Sequence, residues 1–216
     1  LLFICMGIGL PFTPGLITVC HAKQPVNVYF DMGYFAFQSA DFQEAERHFI
    51  KAVELNPNSP IGYQYLGKTC MKLKKYDQAR FHLSKAFDLE PDLPDLKYDI
   101  ALLDFQTQNY AASSKRFIAL AASKPSDPEV AFLTGMSLFK QGKPSEALPY
   151  FLTASKNTSI QHRAEYYAGM CLYMNGEVQA AIEKCTFVQL HATDPELKDY
   201  AQTWISKLKP VEKAEP

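Results

Sequence analysis

The chain has 216 residues, a mass of 24.4 kDa and a formal net charge of −1. Because 47% of its residues are hydrophobic and 13% are aromatic, it is too apolar for an intrinsically disordered protein. The nearly balanced charge argues against nucleic acid as a partner, since nucleic-acid binding normally requires a basic surface. No stretch shows a strand-rich pattern, so we expect an all-α fold.

Residues 1–22 differ from the rest because they contain no Lys, Arg, Asp or Glu, and they end at Ala22 directly before the polar Lys23. An apolar stretch that ends small–x–Ala is typical of a secretory signal peptide, here cleaved after Ala22. The stretch lacks an initiating Met and a basic start, so we expect that the true N-terminus lies further upstream.

Two alternatives for this leader remain open. An uncleaved anchor would use residues 1–20, which are just long enough to span a bilayer. A lipoprotein signal would end at Cys20, although Val19 stands where that class of signal has a small residue. All three interpretations export the domain that follows, and they predict a periplasmic or membrane-associated protein.

The stretch Pro60–Leu93 predicts two helices, one on each side of the polar pair Lys74-Lys75, with Pro91 ending the second helix. The same 34-residue pattern recurs in register in units 26–59, 60–93, 94–127, 128–161 and 162–195. The small residue in the first helix of each unit is Gly33, Gly67, Ala101, Gly135 and Gly169. The small residue in the second helix is Ala45, Ala79, Ser113, Ala147 and Ala181, and a bulkier residue follows one turn later.

This period and its small–large–proline columns resemble the tetratricopeptide repeat (TPR) family, over about four fifths of the chain. The resemblance implies a right-handed α-solenoid of helix–turn–helix repeats that acts as an interaction scaffold and not as an enzyme. Helix packing supports the same fold without the family resemblance. A glycine inside a helix costs about 1 kcal/mol, so its repetition at one position needs a packing reason. A repeated glycine column therefore predicts close helix crossings, here between Gly67 and the helix that carries Ala79 and Leu83.

Several local signals mark helix ends and irregular positions. Asp41 with Glu44 predicts a capping box at the second helix of unit one. The third unit is degenerate, since Lys97 and Asp104 stand in apolar columns. Residues 194–208 predict a capping helix for the solenoid. Its apolar face is expected to hold Leu197, Tyr200, Ala201, Trp204 and Leu208. Residues 209–216 are charged and contain proline, which predicts a linker or a disordered tail. A further expectation is that the protein continues beyond residue 216.

The sequence shows no catalytic or metal-binding pattern with specific spacing, and we expect no cofactor. His48 and His82 occupy one column of successive second helices, and we interpret them as helix-surface histidines, with a two-histidine zinc site as the weaker alternative. Cys70 is expected to be buried and unreactive. A disulfide between Cys171 and Cys185 stays open, because exported proteins can form one.

In the resembled family the first helix of each unit lines a concave groove. Here that face carries a second apolar stripe, which needs a burial partner beyond the ordinary core. Aromatic residues and Met are adaptable contact residues, so we predict that this stripe binds a partner peptide or helix. The predicted contacts are Phe30, Tyr34, Phe37, Lys68, Met71, Tyr98, Leu102, Phe105, Phe132, Met136, Phe139, Tyr166, Met170 and Tyr173. The alternative for each of them is ordinary core.

Some members of the resembled family hold a C-terminal carboxylate in a clamp of basic residues on this face. Here Phe30, Tyr34 and Tyr65 occupy the corresponding early positions, and Asp95 and Asp99 stand where basic residues would be needed. That clamp is absent. The predicted function is a non-enzymatic protein–protein interaction scaffold. Alternatives are the soluble N-terminal part of a larger envelope or secretion assembly, and self-assembly into a homo-oligomer by stacking of units or by exchange of the helix 194–208.

Overall fold

The computed structural model describes residues 28–208, which form eleven α-helices and no strand. The prediction of an all-α fold is therefore confirmed over these residues, and one helix pair falls in each 34-residue unit. The helices are α1 (Val28–Gln38), α2 (Phe42–Leu55), α3 (Pro60–Lys72), α4 (Tyr76–Leu89), α5 (Leu96–Gln106), α6 (Tyr110–Ser123), α7 (Pro128–Lys140), α8 (Pro144–Ala154), α9 (Gln161–Met174), α10 (Val178–His191) and α11 (Pro195–Leu208).

The predictions for residues 1–22 and 209–216 lie outside the described residues. Between Val28 and Leu208, none of the helices combines the length and the apolar composition that crossing a membrane would require.

The glycine column marks the helix crossings, as the sequence predicts. A Cβ added at Gly67 would lie 2.7 Å from Leu83 Cγ, and one added at Gly33 would lie 2.8 Å from the Phe49 ring. Such distances are too short for van der Waals contact, so a side chain at either position would force the two helices apart. The large residues Phe49, Leu83 and Phe151 of the second helices fill the space beside Gly33, Gly67 and Gly135, and they are fully buried.

Each helix pair is joined by the same tight turn. In each of these turns one residue adopts a left-handed backbone with φ between 60° and 88°, and these residues stand 34 positions apart: Ala40, Lys74, Gln108, Gly142 and Gly176. In the first of these turns the backbone N–H of Asp41 donates to Ala36 O at 3.0 Å, which satisfies a carbonyl at the helix end. Only the last two turns use glycine, so the first three retain the strain of a side chain at positive φ.

The predicted capping box at α2 is half correct. The Asp41 carboxylate accepts from the Glu44 N–H at 3.1 Å, which caps the helix. The other bond of a capping box, from the Asp41 N–H to the Glu44 carboxylate, is not formed. The Glu44 carboxylate pairs instead with Arg47 and His48 on the next helical turn. The Asp41 N–H is instead used in the turn that ends α1.

Helix α11 packs on α10 and ends the described part of the solenoid. Leu197, Ala201 and Ile205 are buried, and Trp204 packs against the same cluster. The predicted face is wrong at Tyr200, which is 55% exposed, and it omits Ile205, which is buried one turn after Ala201.

The third unit holds its polar residues in ion pairs. Asp104 is buried, and its carboxylate accepts from Arg80 Nη1 at 3.2 Å and from Arg116 Nε at 2.9 Å. These arginines belong to α4 and α6, so the pairs join units two and three. Lys97 is exposed and pairs with Asp92 at 2.7 Å. Asp104 thus replaces the apolar residue of its column with a charge that two neighbouring helices neutralise.

Cys70, Cys171 and Cys185 are buried free thiols, so Cys171 and Cys185 do not form a disulfide in this structure. Burial raises the pKa of Cys70 to about 11 and that of Cys171 to about 12, which keeps both thiols protonated near neutral pH. The expectation that Cys70 is buried is confirmed.

Candidate functional site on the face of the first helices

The predicted contact residues lie on the first helices α1, α3, α5, α7 and α9, and we call the surface that they form the A-helix face. They differ widely in exposure. Tyr34 and Tyr173 are each 41% exposed, and they lie near opposite ends of the face. The residues that are half-buried are Phe30, Phe37, Lys68, Tyr98, Leu102, Phe105, Phe139, Tyr166 and Met170.

Three of the predicted contacts are buried. Met71, Phe132 and Met136 are each less than 9% exposed and belong to the hydrophobic core clusters. Their side chains fill the space between successive units, so ordinary packing explains them. A partner on the A-helix face would reach them only at their edges.

An aromatic cluster occupies the N-terminal half of the A-helix face, and Tyr65 lies at its centre. The Tyr65 ring lies 5.4 Å from that of Tyr34, 5.6 Å from that of Phe30 and 5.9 Å from that of Phe37, all edge-to-face. Aromatic pairs favour this geometry over face-to-face stacking. The cluster joins α1 to α3 and leaves Tyr34 partly exposed at its surface.

A second aromatic cluster occupies the C-terminal half, and Tyr167 lies at its centre. The Tyr167 ring lies 5.8 Å from both Phe132 and Phe139, and 5.5 Å from Phe151 of α8. At the far end Tyr173 lies 5.3 Å from Trp204 of α11. The capping helix therefore extends the aromatic surface beyond the fifth unit.

Tyr65, Tyr167 and Trp204 are not among the contacts predicted from the sequence. Tyr65 and Tyr167 share one repeat column, three units apart, next to the predicted columns on the same helix face. That column carries Asp31, Asp99 and Leu133 in the other units, so it is not uniformly apolar. The two tyrosines could have been found by listing aromatic residues column by column.

A polar group separates the two clusters. Asp99 is buried on α5, where its carboxylate accepts from Gln64 Nε2 at 2.7 Å and lies 3.7 Å from Lys68 Nζ. Burial raises the pKa of Asp99 to about 6, although the Lys68 charge and the Gln64 hydrogen bond partly offset this effect. The Lys68 ammonium also lies 5.1 Å from the centre of the Tyr65 ring, a cation–π contact.

One recess opens beside this group, and a second lies between α7 and the start of α9. The first, of about 240 Å³, is lined by residues that include Lys68, Tyr98 and Asp99. The other, of about 390 Å³, is lined by Phe132, Ile160 and Arg163 among others. The Arg163 guanidinium lies 4.9 Å from the centre of the Phe132 ring. The A-helix face thus offers aromatic surfaces with a few charged groups between them.

The described residues contain no group of three or more His, Cys, Asp or Glu side chains that could hold a metal ion. His48 Nε2 lies 2.8 Å from Glu44 Oε1, and burial lowers the pKa of His82.

Comparison with known proteins places these features in a family. Sequence models described as tetratricopeptide repeat match residues 26–59, 48–81, 71–135 and 132–186, which together cover most of the chain. The chain belongs to the tetratricopeptide repeat family. The resemblance inferred from the repeat columns is therefore confirmed.

A TPR repeat-containing protein of Methanocaldococcus jannaschii is 24% identical over 158 residues, which is 73% of this chain and 26% of that protein. The chain thus spans about a quarter of the length of this relative. Among solved structures, MamA (41-end) of Desulfovibrio magneticus RS-1 superposes with a TM-score of 0.70 at 17% identity, covering 80% of this chain and 94% of that solved chain.

YrrB, described as a TPR protein with an unusual peptide-binding site, superposes with a TM-score of 0.69 at 20% identity, covering 81% of this chain and 90% of YrrB. At these identities the likeness to MamA and YrrB shows the TPR solenoid fold alone. The chain is a TPR solenoid, a fold built for interaction with other proteins.

Proposed function

We propose that this protein is a non-enzymatic scaffold that holds an extended peptide or a helix of a protein partner on its A-helix face. The observation that carries the proposal is the pair of aromatic clusters centred on Tyr65 and Tyr167. Partly exposed aromatic rings that are already packed against one another lose little conformational freedom when a partner binds. The peptide-binding site named for YrrB supports the choice of a peptide as the ligand class.

Tyr34 and Tyr173 are the residues that the proposal depends on most. Each is 41% exposed, and each lies at the outer surface of an aromatic group rather than inside it. They flank the face at α1 and α9, so a segment that contacts both would run along the A-helix face. Phe105 and Phe139 are less suitable as probes, because they pack on the core and their removal would also affect folding.

The test is site-specific photo-crosslinking in cells that produce the protein. A benzophenone amino acid is placed at position 34 or position 173, and at position 81 as a matched control, because Phe81 is 66% exposed on the second helix α4. We expect positions 34 and 173 to give adducts with one and the same partner, and position 81 to give none with it. Adducts with that partner from position 81 alone would contradict the proposal.

We also propose that the protein is exported through the apolar leader of residues 1–22, either cleaved after Ala22 or retained as an anchor. The support is sequence alone: the stretch has no charged residue and ends small–x–Ala. Fractionation of the producing cells, with N-terminal sequencing of the recovered protein, tests this proposal. Recovery of the chain in the cytoplasm with residues 1–22 attached would contradict it.

A further inference from the structure

The first helix exposes an apolar stripe, and the equivalent positions of every later unit are covered. Val28, Met32 and Phe35 are 58%, 45% and 75% exposed. We call these three residues the N-terminal edge. Their counterparts in the next four units, 34 residues apart, are buried or half-buried: Gly62, Leu66 and Thr69; Leu96, Ile100 and Leu103; Val130, Thr134 and Ser137; Ala164, Ala168 and Cys171.

The second helix of the preceding unit covers these columns. A Cβ added at Gly62, the counterpart of Val28, would lie 3.0 Å from Val53 of α2. The 34-residue register would place the corresponding helix for α1 at residues 8–21. That stretch carries Pro11, Pro14 and Gly15 in what would be the helix interior, where each proline costs about 3 kcal/mol. A helix in this register would therefore be energetically costly for this sequence.

The other end of the solenoid is different. Helix α11 turns polar residues outward, and Glu196, Asp199, Gln202 and Lys207 are exposed. A head-to-tail stack of copies would place these residues against the apolar N-terminal edge, which would bury charges without partners.

A second copy packed edge to edge is also a poor occupant. A whole Phe side chain buries roughly 150–250 Å² and the three residues are only partly exposed, so the stripe offers about 300 Å². A stable interface needs about 800 Å² from each partner. Asp31 also borders the stripe, and antiparallel pairing of α1 with its own copy about a twofold axis would bring the two Asp31 carboxylates together on one side.

We propose that the N-terminal edge rests on a lipid surface, with Val28, Met32 and Phe35 inserted at the level of the headgroups. Five residues, 23–27, separate the uncharged leader from α1, and they span at most about 17 Å. If the leader stays in a bilayer, α1 is therefore held at its surface, and the tether removes the need for a large contact area. Lys51, whose Nζ lies 5.4 Å from the centre of the Tyr29 ring on α1, is placed to meet anionic headgroups.

This inference rests on the export proposal with the leader retained, and it is independent of the partner on the A-helix face. The experiment uses the full chain in vesicles of phosphatidylcholine and phosphatidylglycerol, with brominated lipids as quenchers of tryptophan fluorescence. The single tryptophan, Trp204, is first changed to Phe. Phe35→Trp then reports on the edge, and Phe81→Trp is the matched control on another exposed helix surface.

We expect brominated lipid to reduce the emission of the Phe35→Trp protein at least twofold and to leave that of the Phe81→Trp protein unchanged. Equal quenching at both positions, or none at position 35, would overturn the proposal. So would a chain that fails to float with the vesicles. Emission at position 35 that depends on protein concentration but not on brominated lipid would assign the edge to a second copy instead.

Discussion

Units two and three of the solenoid show how one repeat framework accommodates two kinds of packing. In unit two the helices cross where Gly67 packs against Leu83, and both helices contribute buried apolar residues to one core cluster. In unit three Ala101 replaces the glycine against Phe117, and Ser113 replaces the small apolar residue of α6. The Ser113 hydroxyl lies 3.1 Å from Ala101 O, to which it donates, so the polar substitution leaves no buried group unpaired.

The same contrast extends to charge. Unit three buries Asp99 on the A-helix face and Asp104 on the opposite side of α5, where unit two carries Tyr65 and Cys70. Their partners come mainly from the neighbouring helices: Gln64 and Lys68 for Asp99, and Arg80 and Arg116 for Asp104. A column in a repeat fold thus tolerates a buried charge when the adjacent unit supplies the opposite one. The packing between α4 and α5 is also thinner than that between other successive helices.

The largest effect is expected from removing both partners of Asp104. The double change Arg80→Met and Arg116→Met leaves a buried carboxylate without a countercharge, which should lower the free energy of unfolding by about 3–5 kcal/mol. Urea unfolding followed by circular dichroism measures it. Units four and five have Leu138 and Leu172 at the position equivalent to Asp104. Adding Asp104→Leu to the double variant should therefore restore most of the lost stability. A double variant as stable as the wild type would show that Asp104 is not held by these arginines.

Glycine-to-alanine changes at the helix crossings separate a tight crossing from a looser one. Gly67→Ala would place a methyl group 2.7 Å from Leu83 Cγ, so overpacking should outweigh the gain in helix propensity and lower stability by about 2 kcal/mol. At Gly169 the nearest atoms are at 3.2 and 3.3 Å, and the same change should be nearly neutral. Thermal unfolding of the two variants checks the difference. A Gly67→Ala protein at least as stable as the wild type would mean that Gly67 has no packing role, and equal losses would mean that the two crossings do not differ in tightness.

The charge of Asp99 should make stability depend on pH. Because burial raises its pKa from 3.8 to about 6, the folded state holds the proton more tightly than the unfolded state does. Stability should therefore fall as the pH rises from about 4 to about 6, and stay lower above that range. Asp99→Asn keeps an acceptor for Gln64 and removes the charge. It should raise the free energy of unfolding by about 1–2 kcal/mol at pH 8 and leave it unchanged below pH 4. An identical pH profile for both proteins would contradict the raised pKa.

The smallest effect is expected in the turns between paired helices. Lys74 has φ of 60°, whereas the matched turn in unit four uses Gly142 with φ of 73°. Lys74→Gly should raise the free energy of unfolding by about 0.5–1 kcal/mol, and Gly142→Ala should lower it by a similar amount. Thermal unfolding measures both changes. A loss of stability in the Lys74→Gly protein would show that its turn is not strained.

The repeat columns were sufficient to predict the helix pairs and their crossings, because close packing needs a small residue at one fixed position. They also identified the A-helix face. They did not separate contact from core on that face: Met71, Phe132 and Met136 are buried, whereas Tyr34 is open to solvent. Exposure depends on how closely successive units approach, and that distance is set by side chains from several helices at once.

The sequence also marked unit three as irregular without showing what its polar residues do. Asp104 meets Arg80, 24 residues before it, and Arg116, 12 residues after it. The second helices that hold the two arginines also carry other exposed charged residues, Asp77, Lys85 and Asp88 in α4 and Lys115 in α6, so the pattern alone does not single the arginines out. The sequence likewise did not show that Glu44 would pair with Arg47 and His48 rather than complete the capping box.

The most direct test of the central claim is the affinity of the partner segment found by crosslinking, measured by titration calorimetry. The wild type is compared with the double variant Tyr34→Ser and Tyr173→Ser, and with Phe81→Ser as the matched exposed-aromatic control, after circular dichroism shows that all three are folded. If the A-helix face binds the segment, the double variant should bind at least tenfold more weakly and Phe81→Ser should bind as the wild type does. A double variant with unchanged affinity would place the partner elsewhere on the molecule.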